Sequence, residues 1–555
     1  MIADITITEK SFGPKTLMSG VRFSVDAGEK VGMIGRNGVG KSTLFGILAG
    51  TDHDYSGEVV YRRGTVVVAT QQEHHNLGET TVLQYVLAGL PEYAMLSRII
   101  ETYPATMGDD MRKIEAYTQA LQRFTDKGFY QIEEQIEREA ANFQLPGVAH
   151  QPFRALSGGQ KRLVEVIKIM HSQAQLALID EPTNHMDYAA KAQFIDWLKS
   201  AREAMLVITH DRDVLHEVDR IVELKDGAAV SYRGNYDAYL RQNTISTSTQ
   251  MHEYGVVERQ ITNLKAKVIQ FRRLKEKARD PDTIKQFKRR EAEAQAELET
   301  LQAKEKPTFW IDKESVANLN YKVASQYDKF KAKNIRMDIK SEQSRSKHVL
   351  VSAKDLSLGY GDMLLFAGVN IDLREGEACE LRGRNGAGKT TLIKALLAGR
   401  DNSEAKNEHK ASLTLFSGEI ILDKHVRIGI YEQEVSPTYF DLPLADAIER
   451  LYLDCHLPIT PTKIRQLLSN YLFTDTDARV PLAKLSGGQK ARFQLIAMLA
   501  DDPQLLILDE PTNHLDLPSI EELETALARY SGAILYVSHD GYFRNAIGGS
   551  VVSIR

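Results

Sequence analysis

Two phosphate-loop α/β domains joined by a long α-helical hairpin are the fold this sequence predicts, on three observations. One ordered set of motifs is written twice. Each set interleaves short apolar runs with amphipathic ones, the pattern of parallel strands alternating with helices. The stretch between the sets has helical periodicity and none of the motifs. The first set runs Phe12, GRNGVGKS (Gly35–Ser42), Gln72, LSGGQ (Leu156–Gln160), LALIDE (Leu176–Glu181) and His210. The second runs Tyr360, GRNGAGKT (Gly383–Thr390), Gln433, LSGGQ (Leu485–Gln489), LLILDE (Leu505–Glu510) and His539. The intervals repeat to the residue: 29 from aromatic to loop lysine, 24 from signature serine to glutamate, 29 from glutamate to histidine. Such a repeat marks two nucleoside-triphosphate sites in one chain.

The bulk composition agrees. A length of 555 residues suits three to four domains, and 43% apolar with 26% charged residues is ordinary for a globular protein. Two cysteines, Cys379 and Cys455, cannot form a disulfide framework or a four-thiolate metal site, so a cytoplasmic setting is expected. The N-terminal MIADITITEK lacks the apolar core of a secretory signal. No run approaches the ~20 apolar residues of a membrane span, so no membrane insertion is expected, and a transporter reading needs its channel on another polypeptide.

Each phosphate loop should follow a buried strand (30–34, 378–382) and open a helix, the context that separates a working loop from a chance match. The glycines Gly35, Gly38 and Gly40, with Gly383, Gly386 and Gly388, let backbone N–H groups converge at a helix N-terminus, where anions are stabilised. Asn37, Thr43, Asn385 and Thr391 belong to the same ATP-binding set. Lys41 and Lys389 would reach the β/γ-phosphates, and Ser42 and Thr390 would ligate Mg²⁺. LALIDE and LLILDE are apolar runs ending in paired acids, as expected of parallel strands buried on both faces. Asp180 and Asp509 would hold Mg²⁺; Glu181 and Glu510 would act as general bases on the attacking water. His210 and His539 end further apolar strands and can reach the γ-phosphate. Gln72 and Gln433 suit Mg²⁺ and water sensing, with Gln71 a competing choice in the first copy. Phe12 and Tyr360 would stack on adenine, unless they are core aromatics of the first strands.

The copies differ between glutamine and signature. The first copy has a surplus near residues 93–127, with helical patterns at about 95–103 and 109–124 split by Pro104 and Gly108. The expected structure is a short helical hairpin protruding from the first domain, unless the surplus is a loop elaboration packed on that domain. Residues 241–346 form the connecting segment between domains at 1–240 and 347–555. Ile261, Leu264, Val268, Phe271 and Ala278 fall at three- and four-residue steps, a coiled-coil seam interrupted at Lys275. Ile284, Phe287, Ala294, Leu298 and Leu301 resume it after Asp280-Pro281-Asp282, with Glu291 a weak point. A first arm from about 246 to 279 and a third amphipathic segment at 316–330 are expected. The tip lies near 280 or near 308.

Residues 265–290 hold 11 basic and 3 acidic side chains within a chain of net charge −5. A concentrated basic rod on an acidic protein is the electrostatic footprint of a nucleic-acid contact. Arg272, Arg273, Lys288, Arg289 and Arg290 are its candidate phosphate ligands. A solvated linker is the plainer alternative.

LSGGQ together with these loops resembles the ATP-binding cassette proteins, with tandem nucleotide-binding domains. The resemblance implies head-to-tail pairing within a monomer. Ser486, Gly487, Gly488 and Gln489 would then close on ATP held by the first copy, and Ser157, Gly158, Gly159 and Gln160 on ATP held by the second. Two cassettes, an insertion in the first, the G-N-Y tripeptide at Gly234–Tyr236, the E-P-T-N-H-[ML]-D runs (Glu181–Asp187, Glu510–Asp516) and a basic linker resemble the soluble F-type subfamily. That subfamily implies an ATP hydrolase bound in the ribosomal exit site, its linker reaching toward tRNA and rRNA. The long linker with a short insertion looks more like the antibiotic-resistance, ribosome-protecting members than the housekeeping translation factors. The ATPase subunit of a membrane transporter is the alternative of a different class, and it leaves the basic hairpin unexplained.

Overall fold

The computed structural model describes all residues except 14, 72–77, 185, 304–305, 318–326, 338–347, 399–412, 424, 433–434 and 555. The chain divides into two compact units, one formed by Met1–Tyr236 with Asn334–Arg555, the other by Asp237–Lys333.

In the first unit each cassette is built on a parallel sheet. The first sheet runs Ala228–Arg233, Arg220–Lys225, Lys30–Gly35, Ala204–Ile208, Leu176–Asp180, Val67–Ala69, parallel throughout except for the antiparallel edge strand Ala228–Arg233. The second runs Ile428–Tyr431, Leu505–Asp509, Ala533–Val537, Ala378–Arg382, Ser550–Ser553, all parallel. Leu176–Asp180, Ala204–Ile208, Leu505–Asp509 and Ala533–Val537 are buried at every residue. Covered on both faces, they can be apolar without alternation. In both cassettes the histidine-bearing strand lies between the phosphate-loop strand and the acidic strand. Three chemical groups therefore converge from adjacent strand tips.

A second, antiparallel sheet flanks each parallel one, formed in the first cassette by Ala3–Phe12, Lys15–Met18, Val21–Val25 and Ser56–Tyr61. The helical layers carry the signature helices Gly158–His171 and Gly487–Leu499. Helices Tyr93–Thr106 and Met111–Asp126 pack on one another and join the first layer's core through Leu96, Ala120 and Phe124. Pro104 does not split the first of them; it sits within its last turn, where it costs a single backbone bond and its ring disturbs only the turn just before it. The turn comes at Gly108, in the left-handed region (φ 46°).

The second unit is dominated by helices Tyr236–Lys277, which begins in the first unit, and Pro281–Gln302. The long arm thus begins near 236 rather than 246, because no Gly or Pro interrupts 237–254. The turn is at 278–280, and of the two tip positions the sequence allows, this is the one found. Asp280 caps the second arm by accepting from the Thr283 N–H at 2.9 Å, with Pro281 in the first helical position. Leu264, Val268, Ala294 and Leu298 are buried in the seam, with Ile261, Phe271 and Leu301 against them. Its two polar defects meet. Glu291 accepts from Lys275 Nζ and, at 3.2 Å, from Arg272 Nε, which holds its carboxyl below the usual range. Within the expected third amphipathic segment, 316–330, residues 316–317 and 327–330 are helical, and 318–326 lie outside the described residues. Phe309, Ile311, Tyr327 and Phe330 form a small core with Met251.

Candidate functional site: two paired nucleotide sites

Each phosphate loop ends on a glycine no other residue could replace. Gly40 (φ 104°) and Gly388 (φ 96°) precede helices Lys41–Leu48 and Lys389–Ala398 in the left-handed region. A Cβ there would lie 2.8 Å from Leu17 or from Phe366. The loop lysines are gathered over their own loops. Lys41 Nζ donates to the carbonyls of Gly35 (2.5 Å) and Arg36 (3.3 Å), and Lys389 Nζ to those of Gly383 (2.8 Å) and Arg384 (2.9 Å).

The hydroxyl and carboxylate chosen for Mg²⁺ are in contact in both copies. Ser42 Oγ donates to Asp180 Oδ2 at 3.0 Å and Thr390 Oγ1 to Asp509 Oδ2 at 2.8 Å. Hard oxygens converging beside a phosphate loop are the donor set Mg²⁺ takes when phosphates and water complete its shell. Gln72 and Gln433 lie outside the described residues. The neighbouring Gln71 donates its backbone N–H to Glu165 on the signature helix at 2.9 Å.

Glu181 and Glu510 adopt the left-handed backbone (φ 47° and 52°), uncommon for a non-glycine residue and found at the same step of both copies. Their N–H groups bond Ile208 O (2.9 Å) and Val537 O (3.0 Å), which keeps each glutamate at the tip of the neighbouring histidine strand. His210 Nε2 is 3.6 Å from Glu181 Oε1 and 3.2 Å from Lys41 Nζ; His539 Nε2 is 3.2 Å from Glu510 Oε1. Burial pushes Glu181 up to about 8, helped by Asp180 beside it, and Glu510 up to about 7. Burial, with the adjacent loop lysines, pushes His210 down to about 3 and His539 to about 4. The pairs therefore hold neutral imidazoles beside carboxyls poised near physiological pH, the range in which a general base is most effective. His210 Nδ1 is buried without a hydrogen-bond partner among the described residues. A ring nitrogen so placed suits a water or, when it carries the proton, a phosphate oxygen.

The copies meet reciprocally. Asn37 N–H donates to Asp516 Oδ2 at 3.1 Å, and Asn385 N–H donates to Asp187 Oδ2 at 3.1 Å. Asn37 Nδ2 also donates to His514 O at 2.8 Å. Signature Gly488 approaches the opposite loop so closely that a Cβ would fall 2.2 Å from Asn37 Nδ2. Both glutamates and both histidines line one small cavity between the copies, of about 50 Å³. Ser157 and Ser486 cap their own helices, each in a reciprocal box with Gln160 or Gln489. A further contact is unequal. Arg212 Nη1 donates to Glu524 Oε1 at 3.0 Å and lies over the Tyr542 ring, while His216 Nε2 is 2.5 Å from the Tyr542 hydroxyl.

Phe12 is 56% exposed, so it is not a core aromatic; Lys10 Nζ lies 4.9 Å from its ring centre. Tyr360 is half-buried, its hydroxyl 3.3 Å from Thr391 Oγ1. Asp187, Asp516 and Arg162, which donates to Glu181 O at 3.3 Å, were not among the sequence-chosen site residues. The repeated E-P-T-N-H-[ML]-D run was the available signal for the two aspartates.

The family described as ABC transporter matches residues 18–184 and 366–513, and a second profile with that description matches 222–316. The chain belongs to the ATP-binding cassette family, in its F-type subfamily. It is 30% identical to the ATP-binding protein YdiF of Bacillus subtilis, over 100% of this chain and 80% of that one. It is 28% identical to the ribosome protection protein VmlR of Bacillus subtilis (97% and 84%) and to ABC transporter F family member 5 of Arabidopsis thaliana (98% and 74%). Among solved structures, the archaeal ribosome recycling factor aABCE1 bound to stalk protein aP1 is similar in fold, with TM-score 0.58 at 16% identity over 99% of this chain and 87% of that one. This cassette protein is an ATPase. No helix among its described residues is long and apolar enough to cross a membrane.

Proposed function

We propose that this protein is a cytoplasmic ATPase that engages the ribosome when ATP closes its two cassettes, with the linker hairpin as the RNA contact. The observation that carries the reading is the linker tip. The seam between its arms takes Leu264, Val268, Phe271, Ala294 and Leu298, and Arg273, Lys288, Arg289 and Arg290 are left exposed, beside exposed Ile269 and Leu274. Arg272 and Arg289 are partly engaged, with Glu291 and Glu293. Arg273, Lys288 and Arg290 are therefore the preferred phosphate ligands. Likeness to VmlR supports protection of the ribosome against antibiotics as the finer reading, over a housekeeping translation role.

In site one, Lys41 and the loop N–H groups would bind the phosphates, Phe12 would stack on adenine, and Ser486–Gln489 would close the far side. Site two would use Lys389, Tyr360 and Ser157–Gln160. Ser42 with Asp180, and Thr390 with Asp509, would hold Mg²⁺, which supplies charge neutralisation at the phosphates; Gln72 and Gln433 join these sets from the sequence alone. Glu181 and Glu510 would take the proton of the attacking water while His210 and His539, kept neutral, orient the γ-phosphate. Asp187 and Asp516 would report closure by holding the opposite loop.

A photo-crosslinking residue at Arg290 should capture rRNA or tRNA when the ATP-bound protein is mixed with ribosomes, whereas one at exposed Val551 should not. Capture of protein alone from Arg290 would refute the RNA-contact assignment.

A further inference from the structure

The signature helix Gly158–His171 carries two charges that no nucleotide-site role uses. Glu165 and Lys168 are 1% and 4% exposed. Lys168 Nζ donates to Glu165 Oε2 at 2.6 Å, and the Gln71 backbone N–H donates to the same oxygen at 2.9 Å. The Tyr85 hydroxyl donates to Glu165 Oε1 and lies 3.3 Å from Gln71 Oε1. Burying such a pair is costly until its partners offset the lost hydration. An apolar filler would be a simpler tie between helix and sheet.

The cluster joins parts of different nucleotide sites. Gln71 follows Thr70, whose hydroxyl accepts the N–H of Asp180 at 3.0 Å. Asp180 belongs to site one. Glu165 lies eight residues along the helix from Ser157, roughly 12 Å at 1.5 Å per residue, and Ser157 heads the signature that faces site two. A four-residue path of Asp180, Thr70, Gln71 and Glu165 thus leads from the acidic strand of one site to the helix closing the other.

The second copy does not repeat it. The constant offset of 329 residues that relates the signatures, glutamates and histidines puts Gln494 at the position of Glu165 and Ala497 at that of Lys168. Isolated bridges Thr81↔Pro152 and Pro443↔Pro481 align the preceding helices and set Ala447 opposite Tyr85. A shared structural need would have kept the same groups in both halves.

We infer that Glu165 is a positioning residue that couples nucleotide at site one to closure of the signature on site two, an inference resting on the head-to-tail reading above. Loading site one orders Asp180 and the segment after it; the Gln71–Glu165 bond passes that order to the helix as a rigid shift of its N-terminus. The coupling is reciprocal for binding. Among the described residues the route is built from one copy only.

Phosphate release by the Glu181→Gln variant comes from site two alone. Comparing it with Glu181→Gln/Lys41→Ala reads how far site two depends on ATP at site one. With Glu165 present, site-two kcat/KM should differ about 5–150-fold between the two proteins. With Glu165→Gln, the neutral group the second copy uses, the ratio should fall to within about twofold of one. Tyr85→Phe keeps the buried ion pair and removes one hydroxyl, so it should reduce the ratio in a protein of unchanged fold, and it carries the test if Glu165→Gln does not fold. A ratio near one with Glu165 intact, or a ratio unmoved by either replacement, overturns the inference; so does an equal loss in both backgrounds, which marks a structural tie. Ser157→Arg should stop phosphate release in the Glu181→Gln protein. If release survives, the head-to-tail reading itself is wrong.

Discussion

Replacing Glu181 and Glu510 together by Gln lowers steady-state ATP hydrolysis by about 10²–10⁴-fold, the range a positioned general base contributes, while ATP binding persists. The amide cannot accept the water's proton. The loop lysines, the Ser42–Asp180 and Thr390–Asp509 pairs and the reciprocal Asn–Asp contacts are all left in place. Normal turnover in this variant would remove both glutamates from the mechanism. The same variant has a second signature, in stability. Both carboxyls sit above the 4.5 of an ordinary glutamate, at about 8 and about 7. The folded state therefore binds these protons more tightly than the unfolded chain. The stability this gives the nucleotide-free protein is complete below 4.5 and is lost as pH rises toward 7 and 8. The amides carry no charge to desolvate. At pH 8 the double variant should melt about 4 °C or more above its parent, each kcal/mol being worth about 2–4 °C in a domain of this size. At pH 4.5 the two should coincide. Thermal scans at both pH values read the difference, and equal melting at pH 8 would mean the glutamates are not desolvated.

Charge reversal at Arg273, Lys288 and Arg290 cuts ribosome affinity while ribosome-free ATPase activity stays within about twofold of wild type. These side chains are exposed on the hairpin unit, and none belongs to either nucleotide site. A cation that meets a phosphate releases counterions, so log affinity falls with log salt by about 0.7–0.9 per contact. If all three meet phosphates, the slope for the variant should be shallower by roughly 2–3. Arg272 and Arg289 are left alone in this design because reversing them would also break their ion pairs with Glu291 and Glu293. Parallel salt titrations of the ATP-held complexes decide it. Equal slopes would show the tip to be a solvated surface.

The nucleotide chemistry was legible because it is written as spacing. An interval of 24 residues from signature to glutamate, kept in both copies, has no source other than a shared fold, and the structure brings the phosphate loop, the glutamate and the histidine of each copy to adjacent strand tips. Less visible was what lies between the copies. Asp187 and Asp516 are helix caps, each accepting from the first turn of its own helix. Only the second oxygen of each carboxylate, turned toward the opposite loop, shows the further contact. The seam of the linker is a similar case. Lys275 and Glu291 each count as a fault in an apolar repeat, and only the antiparallel register reveals that they answer one another. Glu165 was hidden differently. In V-E-V-I-K it looks like the polar face of an amphipathic helix, and burial by Tyr85 and Gln71 comes from residues some 80 to 94 positions away. Gly108 predicted the arm's turn correctly, while Pro104 misled, because a proline near a helix end removes little.

On the proposed function, ATP, by closing the paired cassettes, creates the form of the protein that holds the ribosome. Sedimentation of the Glu181→Gln/Glu510→Gln protein with ribosomes and, separately, with membranes tests it directly. With ATP the protein should pellet with ribosomes at close to one copy per particle, and with ADP it should remain in the supernatant. Equal pelleting with the two nucleotides, absence from the ribosome pellet, or recovery with membranes would contradict it.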